Sequence, residues 1–297
     1  MKLINQSAEY LPQGSGIEGI YKQIELASRT SYLSWDKMTD DSAKKFVDML
    51  IKSKHTSVLE HGTVYLHFFW PGAVCQVCNQ TMPHKLLDKY CMNSYSKVNY
   101  HGNDVYVTTN MRVLQENNWL DDLKYLCEPT EFHEKRLSVK VITDIGVTRE
   151  FNRHRTFSIV EQSTRYCNFS NDKFGNEITF VKPYWYEQFD KPLNESGYRE
   201  DGTSDMFTSS DFEDFATVSQ CNYMSALIAG MQPQQARELL PLCTKTEAFY
   251  TAFESDWRHF FDLRLRETTG AAHPQAKALA QLIYNEFEKY GLTGNMG

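Results

Sequence analysis

Leu137-Ser138-Val139-Lys140-Val141-Ile142, then Arg149-Glu150-Phe151-Asn152-Arg153-His154-Arg155, then Glu161-Gln162-Ser163-Thr164-Arg165-Tyr166: within 30 residues the chain passes from a β-branched run to a basic cluster and on to a string of polar donors. The first segment reads as a core strand, because alternating β-branched side chains suit a pleated, half-buried surface. Arg153-His154-Arg155 gathers self-repelling charge beside that packed element. Arginine's planar fork matches phosphate oxygens in pairs, and the hydroxyl, amide and guanidinium donors of 162–165 can complete an anion cradle. The segment therefore reads as a site for a phosphate-bearing ligand set against a strand. The bland alternative is a set of surface arginines paired with some of the 38 carboxylates.

Outward from this stretch, strand-like runs stand at Thr63–Phe69, Asp104–Thr109 and Ile178–Val181. Helical spacing marks Ile17–Ala27 and about 41–53, and Asp40, Asp41 and Ser42 offer caps to the second helix. Further helices are expected from about Asp211 to Ala229, from Pro233, from about Ala252 to Arg266 and from Pro274 to Tyr290. Helices flanking a few strands, without regular βαβ alternation, define an α+β class. Residues from Trp70 to about Lys135 are irregular and broken by Pro71-Gly72 and Pro83, so they read as an insertion in a single domain spanning 1–297. A polar loop is expected at about 187–210.

Composition narrows the function. The chain has 297 residues, 31 basic and 38 acidic, for a net charge of −7. This balance argues against a nucleic-acid grip through a basic face. No apolar run approaches the roughly 18 residues of a membrane span, and seven scattered cysteines suit free thiols in a reducing cytoplasm. No nucleic-acid or membrane partner is expected, and the location is read as cytoplasmic.

Two motifs are set aside. Gly14-Ser15-Gly16-Ile17-Glu18-Gly19 is a literal G-x-G-x-x-G, but it lacks the strand before it and the acid-tipped strand after it that a dinucleotide site needs. It reads as a lead-in turn. Cys75, Cys78, His84 and Cys91 are zinc-ligand types, yet the spacing after Cys78 follows no finger pattern, and no metal is expected. A second basic set contains Arg237, Arg258, Arg264 and Arg266. Six residues turn a helix by about 240° net, so Arg258 and Arg264 face different ways. Arg264, between Leu263 and Leu265, is the candidate for a buried anionic or carbonyl partner, and Arg258 and Arg266 read as solvated or salt-bridged.

Together these pieces resemble the flavin-dependent thymidylate synthases. That family's signature of Arg-His-Arg, seven residues and Ser is matched from Arg153-His154-Arg155 to Ser163. His55-Thr56-Ser57-Val58-Leu59-Glu60-His61, Ala27-Ser28-Arg29-Thr30-Ser31 and Ala236-Arg237-x-x-Leu240-Pro241 resemble its flanking segments. The likeness covers about residues 15–69, 137–183 and 225–290. It implies a homotetrameric α+β protein on a small mixed sheet, with active sites between subunits. FAD is the implied cofactor, dUMP the substrate, and NADPH and 5,10-methylenetetrahydrofolate the co-substrates.

Carried over by position, His55, Ser57, Arg153, His154, Arg155, Glu161 and His259 would meet FAD, with His55 and Ser57 coming from a neighbouring subunit. Ser163, Arg165 and Arg237 would hold the dUMP phosphate, with Arg153, Gln162 and Thr164 beside them. Arg264 would bind the uracil edge as the catalytic residue. Glu150 and His259 stand where some members carry glutamine and asparagine, so Glu150 is expected at a ribose hydroxyl. Phe253 and Ser255 replace polar or basic residues near the adenine end. Three rival readings remain open at this stage: a non-catalytic nucleotide or nucleic-acid module, a synthase using Cys167 or Cys243 as nucleophile, and a related enzyme that transfers hydroxymethyl.

Overall fold

The structure, a computed structural model, describes residues 1–70, 85–191, 193–199, 204, 207–294 and 296. In chain order its strands are β1 (Lys2–Ile4), β2 (Ser7–Tyr10), β3 (Thr63–Phe69), β4 (Lys97–His101), β5 (Asp104–Asn110), β6 (Arg136–Asp144), β7 (Ser158–Glu161), β8 (Thr179–Val181) and β9 (Lys245–Phe253). Its helices are α1 (Gly16–Arg29), α2 (Ser42–Lys52), α3 (Lys85–Cys91), α4 (Met111–Glu116), α5 (Ile145–Phe151), α6 (Ser209–Ile228), α7 (Pro233–Ala236), α8 (Glu254–Arg264) and α9 (Pro274–Lys289).

The class is α+β, but the strands form three sheets rather than one mixed sheet. β2-β6-β9-β7 is antiparallel throughout, β3-β5-β4 is a second antiparallel sheet, and β1 pairs with β8 in parallel. The helix expected from about Ala252 begins at Glu254, because Ala252 and Phe253 close β9. Eight of the nine β9 residues are buried, so the strand shows no in–out alternation to read.

The four-stranded sheet is covered on one face by α8 and α9. Val139, Val141, Ala248 and Tyr250 pack there against Trp257, Phe260, Phe261, Leu279, Ile283 and Phe287. Each large side chain fully buried here contributes roughly 2–3 kcal/mol. On the other face Phe249 and Val160 meet Ala27 of α1. The second sheet has its own core, in which Val64, Leu66, Val105 and Val107 pack with Ile20 and Ile24 of α1 and Val47 of α2. Residues 85–126 are thus woven into the sheet that β3 begins. α2 draws no side-chain cap from Asp41, and Ser42 Oγ instead donates to the buried Glu25 carboxylate at 2.7 Å.

The glycine motif is explained by packing. A Cβ on Gly19 would lie 1.9 Å from the carbonyl oxygen of Gly14, so the turn closes directly on the first turn of α1. Gly16 adopts φ +64°, where a side chain is disfavoured. Of the cysteine–histidine set, Cys75, Cys78 and His84 lie outside the described residues, and Cys91 is an exposed free thiol. Among the described residues no group of three or more His, Cys, Asp or Glu is placed to hold a metal ion. No helix among them is long and apolar enough to cross a membrane.

Candidate active site

α5 starts where β6 ends. Asp144 caps it, accepting the Val147 N–H at 2.7 Å, and burial raises the pKa of this carboxyl. The helix ends at Phe151, and the turn that follows carries Arg153-His154-Arg155 to the lip of a cleft of about 640 Å³. Arg153, His154, Arg155, Thr156, His259, Leu263, Arg264 and Thr269–Ala272 form its walls. Nothing in the sequence signals the Thr269–Ala272 wall except Gly270, which takes φ +134°.

Arg264 lies on the last turn of α8, with its side chain only 13% exposed. Its guanidinium is held by residues 110 to 114 positions away. Nη1 pairs with Glu150 Oε2 at 3.0 Å, Nη2 donates to the Glu150 carbonyl at 2.5 Å, and Nε donates to His154 Nε2 at 3.1 Å. Glu150 Oε2 also takes Arg153 Nη1 at 3.4 Å. His154 is buried against Phe260, with ring centroids 5.0 Å apart. Burial, helped by the charges of Arg264, His259 and Arg153, pulls its pKa down to about 4. The imidazole is therefore neutral at pH 7. Because Nε2 accepts from a guanidinium that can only donate, the ring proton sits on Nδ1.

Chemically the cleft presents donors. Arg153 is 72% exposed, Arg155 is exposed and makes no ion pair among the described residues, and His154 keeps its Nδ1–H. His259 stands beside His154, ring centroids 6.3 Å apart. Such a set fits a ligand rich in acceptors and negative charge.

The other candidates fall into separate groups. Glu161, at the end of β7, has its carboxylate turned inward: Oε1 accepts from Thr148 Oγ1 at 2.8 Å and Thr246 Oγ1 at 3.1 Å. Beyond it, Gln162 is buried, Ser163 and Thr164 are half-buried, and Arg165 is exposed. Arg165 Nε donates at 3.2 Å to Gln234 of α7, the short helix that leads into Arg237. Arg165 and the α7 end thus meet at a second place, and Ser163, Thr164 and Arg165 are not among the residues lining the cleft. His55 and Ser57 are exposed between α2 and the turn Ser57–His61, and they do not line the cleft.

Arg266 pairs with Asp262 at 2.7 Å. Neither thiol considered as a nucleophile is activated. Burial raises the pKa of Cys167 and pushes Cys243 up to about 11.

Fold and cleft together define an α+β protein with a donor-lined cleft. The family model described as "Thymidylate synthase complementing protein" matches residues 77–290. The chain belongs to this family, the flavin-dependent thymidylate synthases. A relative from Paramecium bursaria Chlorella virus 1, named "Probable flavin-dependent thymidylate synthase", is 25% identical over 159 residues, which is 52% of this chain and 69% of that protein. Among solved structures, the chain is similar to the UMP/dUMP methylase PolB of Streptomyces cacaoi bound with 5-Br dUMP, at 16% identity, 97% and 93% coverage and a TM-score of 0.41. The same methylase bound with 5-Br UMP gives 15% identity, 100% and 97% coverage and a TM-score of 0.45.

Proposed function

We propose that this protein methylates dUMP to dTMP, using bound FAD, NADPH and 5,10-methylenetetrahydrofolate, as a cytoplasmic homotetramer. The observation that carries the reading is the convergence of Arg153, His154, Arg155, His259 and Arg264 on one cleft in a member of this family. Its donors suit the acceptor-rich flavin dinucleotide, and the flavin supplies redox chemistry that none of these side chains can. Arg153 and Arg155 bind the cofactor's anionic part, and His154 offers it Nδ1–H. Arg264 aims its remaining N–H groups at the uracil edge and stabilises negative charge on the ring, so no cysteine nucleophile is needed. Ser163 and Arg165, with Arg237, Gln162 and Thr164, hold the phosphate.

Three placements support a site completed by other subunits. His55 and Ser57 are exposed and do not line the cleft, Glu161 is engaged within its own chain, and none of Ser163, Thr164 and Arg165 lines the cleft that holds Arg264.

The test is an absorbance spectrum of the purified protein with and without NADPH under anaerobic conditions, followed by mass analysis of the product from dUMP and the folate. Flavin bands that bleach, with dTMP formed, are expected. A product carrying hydroxymethyl would replace methylation by the related transfer. A colourless protein that takes up no FAD and leaves dUMP unchanged would refute the reading.

A further inference from the structure

The candidate phosphate patch rests on a buried charge cluster that the sequence reading did not single out. Strand register builds it. Ile142 lies opposite Glu247, Lys140 opposite Phe249 and Val160 opposite Phe249, so Lys140, Glu247, Val160 and Phe249 share one face of the sheet. Lys245, two residues before Glu247, joins them on that face. The next residue beyond β7, Gln162, is pinned to the same place, its N–H donating to the Glu247 carbonyl at 2.7 Å.

There the two ammonium groups share one carboxylate. Lys140 Nζ lies 2.9 Å from Glu247 Oε2, and Lys245 Nζ pairs with Glu247 Oε1. Lys245 Nζ also donates to Gln162 Oε1 at 3.5 Å. The side chains of Lys245 and Glu247 are 14% and 9% exposed, and that of Lys140 is 20% exposed beneath the Trp35 ring, 3.8 Å from its centroid. Glu247 is the only carboxylate within ion-pair distance of either lysine among the described residues. Glu9, opposite Lys140 in the register with β2, is exposed. Burying an ammonium that has only half a counter-ion is costly and works against stability. An anion bound nearby would complete the compensation that Glu247 alone leaves unfinished.

We infer that Lys245 is a positioning residue for the nucleotide's phosphate: it holds Gln162 and lends an incompletely compensated positive charge to the floor beneath Ser163, Thr164 and Arg165. The inference rests on the proposed reading that this patch takes the phosphate of dUMP. Lys245 would not touch the substrate. It would act through Gln162 and the backbone that Gln162 anchors, and through the field of its charge in a poorly hydrated site.

The experiment is calorimetric binding of dUMP and of deoxyuridine, which lacks the phosphate, to the FAD-loaded wild type and to Lys245→Met, with steady-state kinetics alongside. Lys245→Met should weaken dUMP about tenfold, the effect of losing one charge at short range in a partly desolvated site. The loss should fall on KM with kcat kept, and deoxyuridine binding should be unchanged. Lys245→Arg, which keeps the charge, should restore dUMP affinity. The melting temperature of Lys245→Met should not fall, because a costly buried charge has gone. If Lys245→Met does not fold, Lys245→Gln carries the same expectations. Equal weakening of dUMP and deoxyuridine would leave Lys245 with a packing role and overturn the inference, as would unchanged dUMP affinity. A wild type that binds no dUMP at all would overturn the proposed function first, an outcome distinct from both.

Discussion

Replacing Arg264 by alanine tests the cleft at its centre. The guanidinium makes three polar contacts from a side chain only 13% exposed. Glu150 is one-third exposed and keeps Arg153 at 3.4 Å, so water can take over much of its solvation. His154 is buried, and its Nε2 loses its only donor among the described residues. A buried acceptor left unpaired costs about 1–3 kcal/mol, so a loss near 2 kcal/mol is expected. For a chain of 297 residues that lowers Tm by roughly 3 °C. The same change removes the second-largest cause of His154's lowered pKa, after burial. His154 should therefore titrate above its present value of about 4 and move toward the ordinary 6.5. On the proposed function, turnover of dUMP should fall by about a hundredfold or more, as when one charged transition-state donor is removed. The assays are thermal melts, dTMP formation, and a pH titration of the His154 ring signals in labelled protein. Full turnover would remove Arg264 from the mechanism. An unmoved His154 titration would show that the Arg264–His154 contact does not govern the cleft's protonation.

Two further predictions concern stability. His154 and His61 are buried and neutral, with pKa values lowered to about 4 and about 3, His61 chiefly by burial and then by Arg136. A histidine depressed in the fold binds its proton in the unfolded chain first, so stability must fall as pH drops below 6.5 and continue falling toward 4. Between pH 7.5 and 5 each should withdraw about 2 kcal/mol. Urea melts of the wild type and of His154→Gln and His61→Gln would show it, and identical pH slopes in all three would refute it. Separately, Gly19→Ala places a methyl 1.9 Å from the Gly14 carbonyl oxygen. The backbone must move, and a loss of about 1–3 kcal/mol is expected despite alanine's better helix propensity. Chemical denaturation measures this, and a stabilised variant would show that the turn yields freely.

What could be read from the sequence follows from which interactions are local. Strands β3, β5 and β6 were legible because β-branched residues run together in them. β9, the strand between β6 and β7, was not, because nearly every position in it is buried and two of its residues, Lys245 and Glu247, are charged. The Arg153-His154-Arg155 cluster was visible as a motif. The hydrogen bond from Arg264 to His154 spans 110 residues, which no spacing encodes. Glu161 shows the opposite failure. Its place in the motif was evident, but its hydrogen bond to Thr246 arises only when β7 pairs with β9, and that to Thr148 only when α5 packs beside β7.

On the proposed function Arg264 is the partner of the uracil ring, and the contacts that hold its guanidinium limit what it can bind. A guanidinium carries five N–H donors in a fixed plane. Three of them are engaged here by Glu150 and His154. Two directions are left, and they cannot rotate independently because the plane is anchored on both sides. A partner with two adjacent acceptors is therefore favoured over one with a single oxygen, and an anionic partner is favoured over a neutral one. The 2-oxo–N3 edge of a uracil that has lost its N3 proton is such a partner. Glu150 contributes by being a carboxylate rather than an amide. Its charge holds the guanidinium without offering a competing donor, and on the proposed function its position, one-third exposed, would leave the pair weak enough for substrate to share.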